Sequence, residues 1–193
     1  MLRIGITGGI GSGKTTVSRV FETLGIPVFS ADDAAKKLQE ENHEVITGIK
    51  NIFGEGIYTD GKLNRKSVAE KVFTDVSLLK KLNDIVHPAT VRAFDEWLKN
   101  HSDKKYILKE AAILYETGLY QSLDKTILVT APLNLRVERI MKRDNVSAAE
   151  VQARIKNQMS DEEKIPLADF VIVNDEQQSI IKQVMEINSK LIN

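Results

Sequence analysis

The chain has 193 residues, 42% of them hydrophobic, and its 27 Lys and Arg balance 27 Asp and Glu. That is enough apolar material for a core in one compact domain, or one domain carrying a small insertion, and it excludes global disorder. Zero net charge argues against a surface that coats nucleic acid or acidic membrane, and the absence of cysteine excludes a disulfide framework, thiol catalysis and thiolate metal sites.

No stretch approaches the ~20 apolar residues that span a bilayer. The opening MLRIGITGG, interrupted by Arg3 and Gly5, does not read as a signal peptide, so a cytoplasmic protein is expected. Residues 2–7 form the first predicted strand. Residues 8–15 read Gly8-Gly9-Ile10-Gly11-Ser12-Gly13-Lys14-Thr15, which matches the phosphate-loop pattern G-x-x-x-x-G-K-[ST]. A loop that wraps a polyphosphate closely favours glycine, since side chains would collide with the ligand. Its backbone N–H groups, aided by the positive end of the following helix, face phosphate oxygens. Lys14 supplies a point charge to the β and γ phosphates, and the Thr15 hydroxyl offers a ligand to Mg²⁺. The pattern therefore points to a nucleoside triphosphate and Mg²⁺, while leaving open what becomes of the γ-phosphate, since kinases, GTPases and mechanical ATPases share it.

Residues 14–24 predict a helix, with Val17, Val20, Phe21 and Leu24 at helical spacing and Gly25 as its stop. A second strand is expected over 27–30, followed by Ser30-Ala31-Asp32-Asp33. Ligands of open α/β sheets gather at the carboxyl ends of strands, so a carboxylate here could accept a proton from an attacking hydroxyl. Equally, Ser30 and Asp33 could imitate a capping box for a helix running to Gln39. From residue 34 to residue 100 only helical patterns are found, over 67–73, 78–86 and 90–98, with a glycine-marked loop near 53–63. So long a stretch without a strand reads as a helical insertion. His87-Pro88 is ambiguous, because Pro88 could start the next helix with His87 extended before it. The histidines at 43, 87 and 101 show no local metal-ligand spacing.

Further strands are predicted over 106–115, 126–130 and 170–173, with helices over 134–143, 148–158 and 177–191. The alternation predicts an α/β protein with a parallel, doubly covered sheet. Glu110 lies inside the third strand and Glu116 just beyond its end. An acid within an apolar strand needs a partner, a cavity or an exposed edge. Residues 134–158 hold six basic residues against three acidic ones, and Arg136, Arg139 and Arg143 share a helix face. Alone this would read as a solvated face; beside a phosphate loop it reads as a cationic lid.

These residues together carry a family resemblance. IGITGGIGSGKTTVSRVFETLGIPVFSAD, LNDIVHPATV, ILYETGL and RIMKRDNVSAAEVQARIKNQMSDEEKIPLADFVIVND resemble, in register, segments of the bacterial dephospho-coenzyme A kinases. Ser30 stands where that family often has Asp, Glu110 where Asp is common, Ala112 for the usual Pro and Tyr115 for Phe. The resemblance implies a P-loop NTPase three-layer α/β/α fold with a five-stranded parallel sheet. It divides the chain into a nucleotide-binding core (1–33, 101–135 and 166–193), a helical acceptor domain (34–100) and a lid (136–165). It implies that Gly9, Gly11, Ser12, Gly13, Lys14, Thr15 and Thr16 bind ATP with Arg139, Arg143 and Asn174, the last near adenine. Asp32, Lys14 and Arg143 would be catalytic, Thr15 would hold Mg²⁺, and Asp32, His87, Glu110, Glu116 and Arg154 would meet the acceptor.

The expected reaction is ATP-dependent phosphorylation of the ribose 3′-hydroxyl of dephospho-coenzyme A, the last step of coenzyme A biosynthesis. The expected partners are these small molecules, without nucleic acid or membrane, for a monomer or small homo-oligomer. The alternatives are another small-molecule or nucleotide kinase, and a P-loop ATPase switch. Val173-Asn174-Asp175 does not satisfy the guanine-reading N-K-x-D pattern, which counts against a GTPase.

Overall fold

A computed structural model describes residues 1–192 and divides them into two compact units, one built from Met1–Ser30 together with His101 onward, the other from Ala31–Asn100. In the first unit, β1 (Leu2–Thr7), β2 (Val28–Ser30), β5 (Tyr106–Glu110), β6 (Lys125–Thr130) and β7 (Phe170–Val173) form one parallel sheet in the order β2-β5-β1-β6-β7. All five residues of β5 are buried, as in a strand covered on both faces. Helices α1 (Lys14–Thr23) and α9 (Ile180–Ile192) bring Val17, Phe21, Val184 and Ile187 onto Ile4, Ile6, Tyr106 and Val129. Phe21 is fully buried, and truncating it to Ala would cost about 3–5 kcal/mol. Between β6 and β7 lie α6 (Leu133–Asp144), α7 (Ala148–Lys156) and the single turn α8 (Asp161–Lys164).

The strand expected over 106–115 stops at Glu110, where β2 ends: Glu110 pairs with Ser30, the last residue of β2, on one side and with Ile6, one residue before the end of β1, on the other. The apolar run continues because Leu114 and Tyr115 are still buried, in turns rather than in the ladder.

The second unit contains α2 (Ala31–Glu41), α3 (His43–Phe53), α4 (Arg65–Thr74) and α5 (Val76–Lys99), with Val45, Ile49, Val68 and Val86 in its core. It departs from the all-helical expectation at residues 53–63. After a 3₁₀ turn over Glu55–Ile57, β3 (Tyr58–Thr59) and β4 (Lys62–Leu63) pair antiparallel. Asp60 and Gly61 turn the chain at φ 49° and 74°, the left-handed pair that a two-residue hairpin requires. The two helices expected on either side of His87-Pro88 are one helix of 24 residues with Pro88 inside it. Val86, Ala89, Phe94 and Leu98 are buried along its length, and this packing overrides the local preference to break before proline. His87 is therefore helical and exposed. Among the described residues, no helix is long and apolar enough to cross a membrane.

Candidate active site

The loop between β1 and α1 is built from the backbone outward. Gly11 and Gly13 hold φ 80° and 92°, which L side chains rarely adopt. Each also meets a neighbour: a Cβ on Gly11 would stand 2.6 Å from the Arg136 carbonyl oxygen, and one on Gly13 would overlap the Asn174 amide. Gly13 caps α1 without a side-chain hydrogen bond, which suits a helix start that receives an anion. Lys14 Nζ donates to the Gly8 carbonyl at 2.8 Å. A cleft of about 290 Å³ opens here, lined by Gly11, Gly13, Lys14, Thr15, Thr16, Arg139, Ile140 and Arg143. Of the expected ATP residues, the structure thus gathers most around one cavity. Gly9 and Ser12 instead are buried and do not line it, and Asn174, also buried, donates from Nδ2 to the Ser12 carbonyl at 2.8 Å. The Asn174 amide nitrogen is committed to holding the loop.

Glu110 is not at a sheet edge. It lies in β5, between β2 and β1, with 8% of its surface exposed, and accepts a hydrogen bond from Thr15 Oγ1 at 3.0 Å. This hydroxyl and carboxylate are hard oxygen donors of the kind Mg²⁺ takes, and a Mg²⁺ site with one or two protein ligands, completed by phosphates and water, needs no larger cluster. Among the described residues there is no group of three or more His, Asp or Glu placed for a metal. The residues present therefore fit Mg²⁺ bound jointly with a nucleotide. Thr15 is the residue for which the sequence leads one to expect this role. Glu110, expected at the acceptor, becomes legible for it only once β5 is seen to end beside the loop.

Glu116 also has a partner other than the expected acceptor. Its Oε1 lies 2.8 Å from Nζ of Lys164, a side chain with no exposed surface, and accepts from the Met159 N–H at 3.2 Å. Burial pushes the Glu116 carboxyl up, but Lys164 and nearby backbone N–H groups outweigh it and hold the pKa below the ordinary value. Sequence reasoning had no signal for Lys164, one charge in the run Asp161-Glu162-Glu163-Lys164.

The three arginines that share the α6 face separate. Arg136 is buried beneath the loop and donates from Nε to the Ile10 carbonyl at 3.0 Å. Arg139 lines the cleft, donating to the Asn174 carbonyl at 3.1 Å and to Glu176 at 2.9 Å. Arg143 is exposed at the cleft rim and grips Asp144 at 2.7 and 3.2 Å. Arg154 reaches the same Asp144 at 2.8 Å, so it stands in the Arg143 cluster. The Asp144 carboxyl is held below its usual range, first by the Arg143 hydrogen bond and further by Arg154. Exposed pairs of this kind are worth about 1 kcal/mol or less.

Asp32 and His87 belong to the second unit. Asp32 is the second residue of α2, two positions after the end of β2. His87 lies in the middle of α5.

Comparison with known proteins gives these features a context. A family model for dephospho-CoA kinase matches residues 2–179. The chain is 39% identical over 186 residues to a dephospho-CoA kinase of Bacteroides fragilis, covering 96% of this chain and 91% of that one. Among solved structures it is similar to TT1252 from Thermus thermophilus, at 35% identity and a TM-score of 0.89, covering 100% and 98% of the two chains. It is also similar to the dephospho-CoA kinase from Campylobacter jejuni, at 28% identity and a TM-score of 0.70, covering 98% and 96%.

Proposed function

We propose that this chain, which belongs to the dephospho-CoA kinase family, carries out its reaction with Mg²⁺-bound ATP held at the loop that joins β1 to α1. Membership makes it a kinase that phosphorylates dephospho-coenzyme A in coenzyme A biosynthesis, with ATP as phosphoryl donor. The observation that carries the finer reading is the Thr15–Glu110 hydrogen bond beside a cleft lined by Lys14, Arg139 and Arg143. Lys14 and the loop N–H groups hold the phosphates, while Thr15 and Glu110 hold Mg²⁺. The metal supplies charge neutralisation on the phosphate oxygens. Asp32 accepts the proton of the ribose 3′-hydroxyl as that oxygen bonds to the γ-phosphorus. The bond from phosphorus to the β–γ bridging oxygen breaks, and ADP leaves with the electron pair.

Arg139 and Arg143 offset the charge that spreads over the transferring oxygens. In the same reading, residues 34–100 take the acceptor, with His87 at its edge, and residues 136–165 form a lid whose outer part, around Arg143 and Arg154, closes to keep water from the γ-phosphate while its inner ends stay anchored at Arg136 and Lys164. Glu116 acts on the acceptor only through the segment it anchors. The protein works in the cytoplasm on small molecules alone, as a monomer or small homo-oligomer.

A coupled ADP-release assay tests this, run with dephospho-coenzyme A and beside a panel of nucleoside monophosphates. ADP release that depends on dephospho-coenzyme A is expected. Release stimulated by a monophosphate alone would transfer the site to a nucleotide kinase, and release indifferent to any acceptor would make it an ATPase switch. Asp32→Asn is expected to lower kcat by about 10²-fold; a near-normal kcat would reduce Asp32 to a residue of the first turn of α2.

A further inference from the structure

Arg136 has the residue type of a phosphate ligand and none of the exposure. Its side chain is 7% exposed, and each arm of the guanidinium is occupied. Nε donates to the Ile10 carbonyl at 3.0 Å, Nη1 lies 3.2 Å from Asp161 Oδ1, and Nη2 packs so closely on Gly9 that a Cβ there would overlap it. The other polar group of Ile10, its N–H, donates to Gln158 Oε1 at 2.8 Å. Both polar groups of the residue at the loop's tip are therefore held from outside the loop.

Gln158 and Asp161 come from one short segment that is itself fixed. Ser160 and Glu163 form a reciprocal capping box at the start of α8. The Met159 N–H donates to Glu116, and Lys164 is buried against the same carboxylate. Burial raises the Asp161 carboxyl above its ordinary value, against the pull of Arg136 and Lys164. The segment thus has little freedom to follow the loop, so the loop must follow it.

We propose that Arg136, with Gln158 and Asp161, is a positioning group for phosphoryl transfer: it sets the path of the loop tip at Gly9, Ile10 and Gly11 and so aims the loop's amides at the transferring phosphate. The proposal rests on the reading that this loop holds ATP. Gly9 is then small to admit an arginine from α6, and Gly11 to let the α6 backbone approach. The tip is held by Arg136, whose charge is paired with Asp161, so that this guanidinium does not compete with Lys14 for the phosphates. A misplacement of ~1 Å in such a frame is enough to cost about 10²-fold in rate, because preorganised donors act on the charge of the transition state.

The test compares Arg136→Met with the double variant Arg136→Met/Asp161→Leu, which removes the buried carboxylate left unpaired by the single change. Arg136→Met is expected to lose thermal stability and to lose kcat by about 10²-fold, while KM for ATP stays within about threefold because most loop contacts to ground-state ATP remain. The double variant is expected to recover melting temperature and keep the low kcat. Recovery of kcat together with melting temperature would overturn the proposal and leave Arg136 as one half of a structural ion pair. A rise in KM with kcat intact would also overturn it. Lys14→Ala, assayed in parallel, separates this from the underlying reading. Wild-type turnover in that variant would show that the loop does not hold ATP, whatever the Arg136 variants do.

Discussion

The two ends of the segment from α6 to α8 use the same residue types in opposite surroundings. At the inner end, Arg136 faces Asp161 and Lys164 faces Glu116, with the basic side chains 7% and 0% exposed. At the outer end, Arg143 and Arg154 share Asp144 with 65% and 45% of their side chains exposed. A charge taken out of water costs several kcal/mol and must keep its partner, whereas an exposed pair is weak enough to be exchanged. The inner pairs therefore serve as framework, and the outer arginines are the ones free in energy to turn toward a phosphate. Burial, not residue identity, separates the arginines that shape the loop from those that can meet its ligand.

The sharpest way to break this contrast is to remove one buried partner. Lys164→Met keeps the volume of the side chain and leaves Glu116 enclosed without its cation, and it is expected to destabilise the fold by about 3–5 kcal/mol, read from urea unfolding. A loss below about 1 kcal/mol would place the inner pair with the outer ones. The pH dependence sharpens the same test. The Glu116 carboxyl is held below its ordinary value in the folded chain. Its contribution is thus fully present above the unfolded-state pKa of about 4.3 and is lost as pH falls through the folded-state value. In Lys164→Met the carboxyl loses the cation that lowers its pKa, so protonation weakens the variant less than it weakens the parent. The stability gap between them should narrow as pH falls below about 4.5. A gap that widens on acidification would assign the loss to packing rather than to charge.

At the outer end the expected effect lies in catalysis. Arg143→Ala should lower kcat by about 10²-fold, with a smaller change in ATP affinity measured by binding of a non-hydrolysable analogue. Equal losses in both would mean that Arg143 binds ground-state ATP and does not respond to the transition state.

The loop was legible in the sequence because its chemistry is local: glycines, Lys14 and Thr15 at fixed spacing after a strand. The sheet was legible for a similar reason, since buried parallel strands read as short apolar runs. What escaped was whatever depends on a distant neighbour. The end of β5 falls where β2 stops, and the apolar run through Leu114 and Tyr115 conceals it. The helix through Pro88 is set by its buried face, against the local rule. The hairpin at Asp60-Gly61 does carry a local signal, the left-handed turn pair, but it sits among the other glycines of residues 53–63 and reads with them as one loop. Arg136, Arg139 and Arg143 share a stripe in the sequence, and only packing tells that the first lies under the loop, the second in the cleft and the third in solvent. Lys164, in a charged run, gives no local hint that it is the most buried charge of the segment.

The smallest expected effect completes the contrast. Arg154→Ala removes one of two arginines from Asp144 and leaves Arg143 in place at 2.7 Å. With Arg154 exposed, Asp144 partly so at 24%, and Arg143 still beside it, the change should alter stability by less than about 1 kcal/mol. At 1 M salt, where screening acts over ~3 Å, even that difference should shrink toward zero. Buried pairs are screened far less, so the Lys164→Met loss should survive the same salt nearly unchanged. Urea unfolding of both variants at low and high salt makes the comparison. A salt-resistant loss in Arg154→Ala would show that Asp144 gathers its two arginines into a fixed structural cluster. Arg143 would then have to break that cluster before it could turn to the phosphate.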